Sequence, residues 1–469
     1  MNMELTGCPI ECPAEVIDAV QKLLTLMCEP LVVTSGEELE RYEREVREQT
    51  DRVCALVVGH RIQFSLDSEQ LQELQGRWVK AFAHKLKNKG KERVRIRTIT
   101  GMMVEVIVSY FTRKNERRGK RRWPGLYPAL QLLGIHDRCT PALAAQVSLL
   151  AAMVGSLEEA SNVLAEQGIK LNTKIVRRIA YRFAERARVV QRLEAVDLGD
   201  QLTGRRVAVS MDGGRIRIRE KKRGPKTAKG RNRYHGAWRE PKLLIVYVVD
   251  GEGKLERSFM PVIDALIGRP DALFKLLQGY LEQLGLIEAD RVLFIADGAP
   301  WIWHRIPDLI ARLGLKPEQT HELIDFYHAV EHLGKVAALR KSWSPKQRRS
   351  WVLRQRTRLL QDQVAKVVAA VQEICRGRNS KEIRTQRNYF VKNAARMCYA
   401  RMRSLRLPIG SGCVESAIRR VVNLRLKGPC TFWCKANAEA VLLLRCYWKA
   451  GRWNLLKKMA NSFVSEAYA

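Results

Sequence analysis

Three short apolar runs, each ending at an aspartate, constrain the fold of this chain more than any other feature. They are RRVAVSMD (205–212), KLLIVYVVD (242–250) and RVLFIAD (291–297). Their length and β-branched content predict buried strands. RIRIRE (215–220) alternates strictly and predicts a half-buried strand, and ERSFMPVID (256–264) follows the turn-like DGEGK as a partner strand.

Helical segments separate the later apolar runs. Leucines on one face predict a helix over 271–285, Trp301, Ile302, Ile306 and Ile310 predict a helix after 297, and HELIDFYH (321–328) predicts a strand leading into a helix. Strands that alternate with helices in this way indicate parallel pairing. We therefore predict the α/β class, with an antiparallel start to the sheet and parallel later strands.

The chain is long enough for several domains. We predict an N-terminal region at 1–128 (helical, then strand-like), an all-helical DNA-binding region at 129–200, an α/β core at 201–334 and 406–455, and a basic helical insertion at 335–405.

Residues 156–187 have the outline of a helix-turn-helix. A helix is followed by a turn at Gly168, and Asn172-Thr173 is the predicted N-cap of a second helix. The basic residues of that second helix are Lys174, Arg177, Arg178 and Arg182. Such a helix would enter a major groove of DNA. An ordinary helical hairpin is the alternative.

The net charge makes a polyanion the expected partner. The chain has 83 Lys and Arg against 49 Asp and Glu, a formal charge of +34. Phosphate contacts by these side chains would give sequence-independent affinity for nucleic acid. A basic protein without nucleic-acid chemistry has the same composition, so charge does not decide the function. The uncharged stretch 139–157 contains Pro141 and Gln146, which favours a buried helix over a membrane span.

The cysteines indicate a reducing compartment. Their number is odd, at 11, and no secretory leader opens the chain, so we expect a cytoplasmic, nucleoid-associated protein with reduced thiols. The pairs Cys8–Cys12 and Cys430–Cys434 have three intervening residues rather than the usual two of zinc sites. Whether any cysteine binds zinc is left open.

Two aspartates and a glutamate are the candidate catalytic acids. Asp212 and Asp297 each end a predicted strand, where neighbouring strands of an open sheet bind ligands, and Glu415 lies near a helix start after Gly410-Ser411-Gly412. Phosphodiester cleavage with two metal ions needs carboxylates from separate elements, and Mg²⁺ prefers oxygen ligands.

The order of these motifs resembles the DDE transposases of bacterial insertion sequences, most closely the ISKra-type group. The stretches that carry the resemblance are MDGGRIRIR (211–219), ADGAPWIW (296–303), DFYHAVEHL (325–333), LPIGSGCVESAIRRVVNLRLKG (407–428) and WCKANAEAVLLLR (433–445). The Asp325-x2-His328 element also resembles one that follows the second acid in the related Mutator-like transposases.

The resemblance implies an RNase H-like core interrupted by a helical insertion between the second and third acids. It implies Mg²⁺ (or Mn²⁺) held by Asp212, Asp297 and Glu415, and strand cleavage followed by strand transfer to mobilise an insertion sequence. We further expect His328 to act at the catalytic site. The partners would be terminal inverted repeats and target DNA, bound by a homo-oligomer without membrane attachment.

Two other functions remain open from the sequence. His328-x2-Glu331-His332 matches the inverted zinc-protease motif, in which the two histidines would hold Zn²⁺ and Glu331 would act as the base. The other is a nucleic-acid-binding protein without catalysis. Dependence of DNA nicking on Mg²⁺ separates these functions.

Overall fold

The computed structural model describes residues 13–114, 125–193, 198–199, 201–228 and 230–462. The chain divides into two compact units. Unit 1 is Met1–Val190 with Lys457–Ala469, and unit 2 is Gln191–Leu456. Within the described residues, no helix is both apolar enough and long enough to span a bilayer.

Unit 1 begins with helices and continues with a pair of strands. Its helices are α1 (Ala14–Cys28), α2 (Gly36–Asp67), α3 (Glu69–Ala81), α4 (Pro128–Leu132), α5 (Pro141–Met153), α6 (Leu157–Glu166) and α7 (Thr173–Arg192, whose last two residues belong to unit 2). Strands β1 (Leu86–Arg97) and β2 (Met103–Arg113) pair antiparallel. In the described residues 13–114, three helices come first and the two strands follow, and the predicted domain boundaries stay a prediction.

The helix pair α6–α7 forms as the sequence predicts. Gly168 has a φ of +83°, which suits glycine in the turn after α6. The Asn172 side chain accepts a hydrogen bond from the N–H of Ile175 at 3.0 Å and thereby caps α7. Val176, Ile179 and Phe183 are buried on one face of α7. A DNA-reading role for this helix stays a prediction.

Unit 2 contains a five-stranded mixed sheet and a separate hairpin. The strands are β3 (Arg206–Gly213), β4 (Ile216–Lys221), β5 (Tyr234–Arg239), β6 (Lys242–Val249), β7 (Val262–Leu266), β8 (Arg291–Ala296) and β9 (Thr320–Ile324). The sheet order is β7-β6-β3-β8-β9, and β4 pairs with β5 in a separate two-stranded sheet, with an isolated bridge from Ile218 to Trp433. Strands β7, β6 and β3 are antiparallel neighbours, whereas β3, β8 and β9 are parallel. The predicted mixed α/β class is confirmed.

Helices surround this sheet and fill the segment predicted as an insertion. They are α8 (Pro270–Gln283), α9 (Pro300–Trp303), α10 (Ile306–Leu313), α11 (Phe326–Ala338), α12 (Pro345–Leu360), α13 (Val364–Cys375), α14 (Lys381–Asn393), α15 (Tyr399–Ser404), α16 (Gly412–Ile418), α17 (Leu424–Leu426), α18 (Lys435–Lys449) and α19 (Trp453–Asn461, which ends in unit 1). A π-helical turn, Arg419–Asn423, joins α16 to α17. All eight residues of β6 are buried, as expected for a central strand.

Three predicted elements differ in detail. The partner strand predicted at 256–264 begins only at Val262, because residues 250–260 form turns and irregular backbone. The single helix predicted after Asp297 is two short helices, and the break precedes Pro307, as proline restricts the residue before it. Strand β5 was not predicted, since YHGAWR has no apolar alternation.

Candidate functional site

Three aspartates lie in register at the ends of three adjacent strands: Asp212 is the next-to-last residue of β3, and the other two directly follow β8 and β9. Met211 of β3 pairs with Ala296 of β8, and Ala296 pairs in turn with Ile324 of β9. The residues that come next are Asp212, Asp297 and Asp325. Parallel neighbours end at the same edge of a sheet, so their carboxylates gather there. The register thus brings together the two strand-end acids predicted from the sequence and adds a third.

Asp325 is fully buried and holds two segments of the site together. Its carboxylate caps α11 by accepting the N–H of His328 at 2.7 Å, and it accepts the N–H of Ser411 through its other oxygen. Burial alone would raise the pKa of this carboxyl, but the hydrogen bonds from His328 and Ser411 outweigh it and lower the pKa to about 2. Asp325 is therefore a carboxylate at neutral pH.

The loop before α16 is fixed against the start of α11. The N–H of Phe326 donates to the carbonyl of Ile409 at 2.9 Å. A Cβ at Gly410 would lie 2.7 Å from the Tyr327 ring, so a larger residue at this position would displace that ring. As a result Glu415, in the first turn of α16, lies beside His328 with its side chain half exposed.

His328 is the cation at the centre of these acids. Its Nδ1 lies 3.3 Å from Asp325 Oδ1 and 3.7 Å from Glu415 Oε1, distances of ion pairs rather than of a well-aligned hydrogen bond. Interaction with the Asp325 carboxylate, helped by the charges of Asp297 and Glu415, raises the pKa of His328 to about 9 against the opposing effect of burial. The imidazole is thus protonated at neutral pH.

The pKa shift of Asp212 disfavours its charged form, whereas the shift of His328 favours the charged form. Burial raises the pKa of its carboxyl to about 6, and repulsion from Asp297 and Glu415 adds to the rise. The N–H of Gly213, at 2.6 Å, and the charge of His328 counteract it in part. Asp212 is therefore a carboxyl near its titration point, in a site with more negative than positive charge.

Asp297 is oriented by its own turn and by the insertion. Its Oδ1 accepts the N–H of Ala299 at 3.0 Å, and its backbone carbonyl accepts the indole N–H of Trp303 at 2.5 Å. A Cβ at Gly298 would lie 2.4 Å from the Tyr389 ring of α14, so the helices after 345 pack directly under the second acid.

Among the described residues, one group of three potential metal ligands has its ligand atoms within 4.8 Å of one another: Asp325, His328 and Glu415. The donors are two carboxylates and an imidazole, with no thiolate, and His328 could be a metal ligand only after losing its proton. The group includes one predicted ligand, Glu415, and not Asp212 or Asp297. The predicted ligand set of Asp212, Asp297 and Glu415 stays a prediction.

The second histidine of the protease-like motif faces another environment. His332 Nδ1 lies 2.7 Å from Gln386 Oε1, and its ring stacks on Tyr389 with ring centroids 3.7 Å apart. Burial lowers its pKa. His332 is therefore packed into the helical layer and does not belong to the metal-capable group around His328.

The predicted DNA-reading side chains lie on the exposed side of α7 in unit 1. Lys174 and Arg177 are exposed. Arg178 and Arg182 instead form ion pairs with Asp137, which Arg186 also contacts at 3.7 Å. No local sequence pattern predicts this cluster, because Asp137 lies 45 residues before Arg182.

The cysteines give no zinc site within the described part of the chain. Cys430 and Cys434 are exposed free thiols, and Cys8 and Cys12 lie outside the described residues. Most of the basic stretch at 113–125 also lies outside them. Comparison of the chain with models of known protein families found no match, and comparison with curated proteins found none either.

Proposed function

We propose that the chain is a DDE-type DNA transposase with an RNase H-like core. The observation that carries the proposal is the register of β3, β8 and β9, which gathers Asp212, Asp297 and Asp325 at one sheet edge beside Glu415. The sheet, antiparallel at its start and parallel afterwards, supports the core that the sequence resemblance implies.

The electrostatics of this site support metal-assisted phosphodiester chemistry. The pKa of Asp212 is raised by burial and by neighbouring carboxylates, so the site has an excess of negative charge that a cation would relieve. Asp212, Asp297 and Glu415 would hold Mg²⁺ or Mn²⁺, with Asp325 close behind them. Such ions, when bound, activate the attacking oxygen and stabilise the leaving one.

The remaining groups position the DNA strand. Protonated His328, a third exposed, would donate a hydrogen bond to a non-bridging oxygen of the scissile phosphate. Asp325 orients the His328 ring and keeps it charged. Hydrolysis adds water to the phosphorus and releases a 3′ hydroxyl at the element's end. That hydroxyl then attacks a phosphodiester of the target, forming one bond to phosphorus as another breaks.

The charge of the chain supports DNA as the substrate. A surplus of 34 positive charges matches a polyanion, and α7 exposes Lys174 and Arg177. The terminal repeats and the target would be the partners. Joining two ends would involve more than one copy of the chain, acting at the nucleoid.

The two alternatives explain less of the molecule. A zinc protease of the inverted type needs His328 and His332 as joint ligands, whereas His332 contacts Gln386 and Tyr389. A non-catalytic binding protein has no use for a half-buried carboxyl such as Asp212, whose pKa is raised to about 6 by desolvation and, to a smaller extent, by Asp297 and Glu415.

A nicking assay tests the proposal. The substrate is a supercoiled plasmid carrying the DNA that flanks the gene, incubated with Mg²⁺, Mn²⁺ or EDTA. The wild-type chain should nick and join it only with a divalent metal. Asp212→Ala, Asp297→Ala and Glu415→Ala should each reduce both reactions by about 10³-fold or more, as for loss of catalytic groups that act as a unit.

The matched control is Asp308→Ala, which removes an exposed acid at the start of α10. It should nick like the wild type, and all four variants should bind DNA, because Lys and Arg supply the phosphate contacts. An Asp297→Ala protein that still nicks DNA in Mg²⁺ would remove Asp297 from the mechanism. Nicking by all three variants would refute the transposase proposal.

A further inference from the structure

The β4–β5 hairpin has two chemically different faces. Cross-strand pairs place Arg217 opposite Trp238, and Lys221 opposite Tyr234, on one face. The other face carries Ile216 and Ile218, which are buried. Side chains alternate between the faces of a strand, so the apolar face anchors the hairpin and the cationic, aromatic face is left to solvent.

A third segment completes the exposed face. The N–H of Trp433 donates to the carbonyl of Arg217 at 2.9 Å, and the N–H of Arg219 donates to the carbonyl of Trp433 at 2.8 Å. Next to this segment, the Phe432 ring lies over Gly236, where a Cβ would come within 2.4 Å of it. The missing side chain at Gly236 therefore makes room for a third ring on the face.

Arginines and rings alternate across this surface. Arg217 lies 5.4 Å from the Trp238 ring centroid and 4.7 Å from that of Phe432, and Arg219 lies 4.8 Å from that of Tyr234. Arg215 lies 5.1 Å from the Trp238 ring. The side chains remain accessible, since Tyr234 is 45% and Trp238 48% exposed. An isolated exposed aromatic is ordinary, but several interleaved with arginines indicate a binding surface.

The acid of the hairpin does not neutralise this face. Glu220 alternates with Arg219 and Lys221 and therefore points to the opposite side, where it forms ion pairs with Arg239 and His235. The face formed by Arg215, Arg217, Arg219, Lys221, Tyr234, Trp238 and Phe432 is here called the arginine–aromatic face, and its four cations form no ion pair with a carboxylate among the described residues. Glu240, which follows β5 on the Trp238 side of the strand, pairs with Lys242 at 2.8 Å.

We propose that the arginine–aromatic face binds unpaired DNA next to the cleavage site. Exposed rings stack on bases only when the bases are out of a duplex, while arginines contact phosphates of either form. The hairpin leaves the sheet directly after Asp212, and Gly214, at its start, packs against Val422 in the turn that follows α16. Arg215, the first residue of the face, therefore lies three positions after Asp212 in the sequence. Its neighbour Gly214 packs against the turn that follows the helix with Glu415.

The inference that the face binds unpaired DNA depends only on the hairpin. The inference that this DNA lies beside a scissile phosphate rests on the proposed function. The test measures the two separately. Fluorescence anisotropy of the full chain in EDTA compares a labelled 20-nucleotide oligo(dT), a 20-base-pair blunt duplex and a 20-nucleotide oligo(rU). No cleavage occurs in EDTA, so a failure of the nicking assay leaves the binding result intact.

Tyr234→Ala with Trp238→Ala should weaken oligo(dT) binding by about tenfold or more, because stacking on each base is lost. Duplex binding should change by less than about twofold. Trp238→Phe keeps a ring and should retain most of the affinity. His235→Ala, on the opposite face, is the matched control and should bind like the wild type. Arg219→Ala should reduce the dependence of oligo(dT) binding on salt by about 0.7 in log–log slope.

Cross-linking gives a readout that does not depend on the variants' folding. Bromodeoxyuridine in the oligonucleotide should cross-link on irradiation to Tyr234, Trp238 or Phe432, identified by mass spectrometry of the wild-type chain. Equal losses on single strand and duplex would reduce the face to a phosphate contact and overturn the proposal, as would cross-links found only elsewhere. Tighter binding of oligo(rU) than of oligo(dT) would overturn the assignment to DNA.

Discussion

The two units of the chain contain opposite arrangements of charge. In the described part of unit 1, the carboxylate of Asp137, whose side chain is 5% exposed, contacts three arginines. In unit 2 a single imidazolium, His328, lies among carboxylates. Neither centre is neutral by itself: the first has an excess of cations and the second an excess of anions.

This contrast separates the chemistry that each unit suits. A cationic excess on an exposed helix attracts phosphate, because guanidinium groups bind it in a bidentate geometry. An anionic excess in a partly buried site attracts a hard cation, which oxygen ligands hold. Under the proposed function, the arginine cluster would contact DNA and the carboxylate site would support the chemistry.

The largest effect that we expect is on Mg²⁺-dependent nicking, when His328, the cation among the carboxylates of unit 2, is removed. His328→Ala should slow Mg²⁺-dependent nicking by about 10²-fold or more, in line with loss of a positioned proton donor. His332→Ala should slow it much less, because His332 contacts Gln386 and Tyr389 rather than the acids. Initial rates of plasmid nicking give the comparison, with bound zinc measured alongside.

The outcome distinguishes the two functions assigned to this helix. A large defect confined to His328→Ala, in a protein without zinc, fits the transposase mechanism. The opposite outcome is that the wild type binds stoichiometric zinc and both variants lose it. That result would show that both histidines are zinc ligands and would exclude a transposase role for α11.

In unit 1, the corresponding change removes the central anion. Asp137→Asn should destabilise the chain by about 2 kcal/mol, because it removes a nearly buried carboxylate that contacts three arginines, among them Arg186, whose side chain is only 12% exposed. Asparagine tolerates the positive φ of +53° at this position, so backbone strain does not contribute. Urea unfolding measures the change.

The matched control is Asp18→Asn, which breaks the exposed Asp18–Lys22 pair of α1 and should cost about 0.5 kcal/mol or less. Equal effects of the two substitutions would show that Asp137 is no more than a surface acid and would end the comparison between the units.

The sequence predicts the carboxylate centre far better than the arginine centre, and the reason is physical. Asp212 and Asp297 end apolar runs whose strand character is local, so parallel pairing alone brings them together. Asp325 was visible only as a motif neighbour of His328. That it accepts a hydrogen bond from Ser411 depends on a contact across 86 residues, which no local pattern encodes.

The same argument explains the elements that were missed. Strand β5 exists because β4 pairs with it, and YHGAWR has weak strand propensity of its own. The break between α9 and α10 had a local signal in Pro307, which the periodicity of the isoleucines obscured. The arginine–aromatic face requires Phe432, nearly 200 residues after Gly236, and pairing across that distance is set by tertiary packing.

A smaller effect tests whether the arginines of unit 1 contact DNA. Arg177 is exposed and forms no ion pair with any described residue, so its guanidinium is available to DNA. Arg177→Ala should weaken binding to the element's terminal repeats by about tenfold, the value of one good base contact, and weaken binding to random duplex less. Equal loss on both duplexes in an electrophoretic mobility assay would mean phosphate contacts only.

Arg178→Ala sharpens this test, because Arg178 also lies 3.7 Å from Asp137. Its loss changes both the possible DNA contact and the charge around the carboxylate. We therefore expect Arg178→Ala to lower the melting temperature slightly as well as DNA affinity, whereas Arg177→Ala should leave the melting temperature unchanged. A reversed pattern would mean that the ion pairs do not persist in solution.

The smallest effect is a pH dependence with opposite sign in the two units. In unit 1, burial lowers the pKa of His136 to about 3, and the charge of Arg186 adds to the lowering. Between that value and the unfolded value of about 6.5, the unfolded chain binds more protons. The contribution of His136 to stability is therefore complete above pH 6.5 and decreases as the pH falls, by about 0.7 kcal/mol between pH 7 and pH 6.

His328 in unit 2 has the reverse sign, because its pKa is raised to about 9. Its contribution is complete below pH 6.5 and is lost as the pH rises through 9, so it increases between pH 7 and pH 6. The increase should be smaller than the loss at His136, since a third of the His328 side chain is exposed and solvent screens its partners. Native-state hydrogen exchange in EDTA resolves the units separately. Protection around α7 should fall on acidification, and His136→Gln should abolish that trend. In α11 the lowered pKa of His332 acts in the opposite sense to that of His328, so the comparison there is with His332→Gln, in which protection of α11 should rise on acidification. A decline in α11 of the His332→Gln variant would show that the two histidines His136 and His328 do not differ in charge.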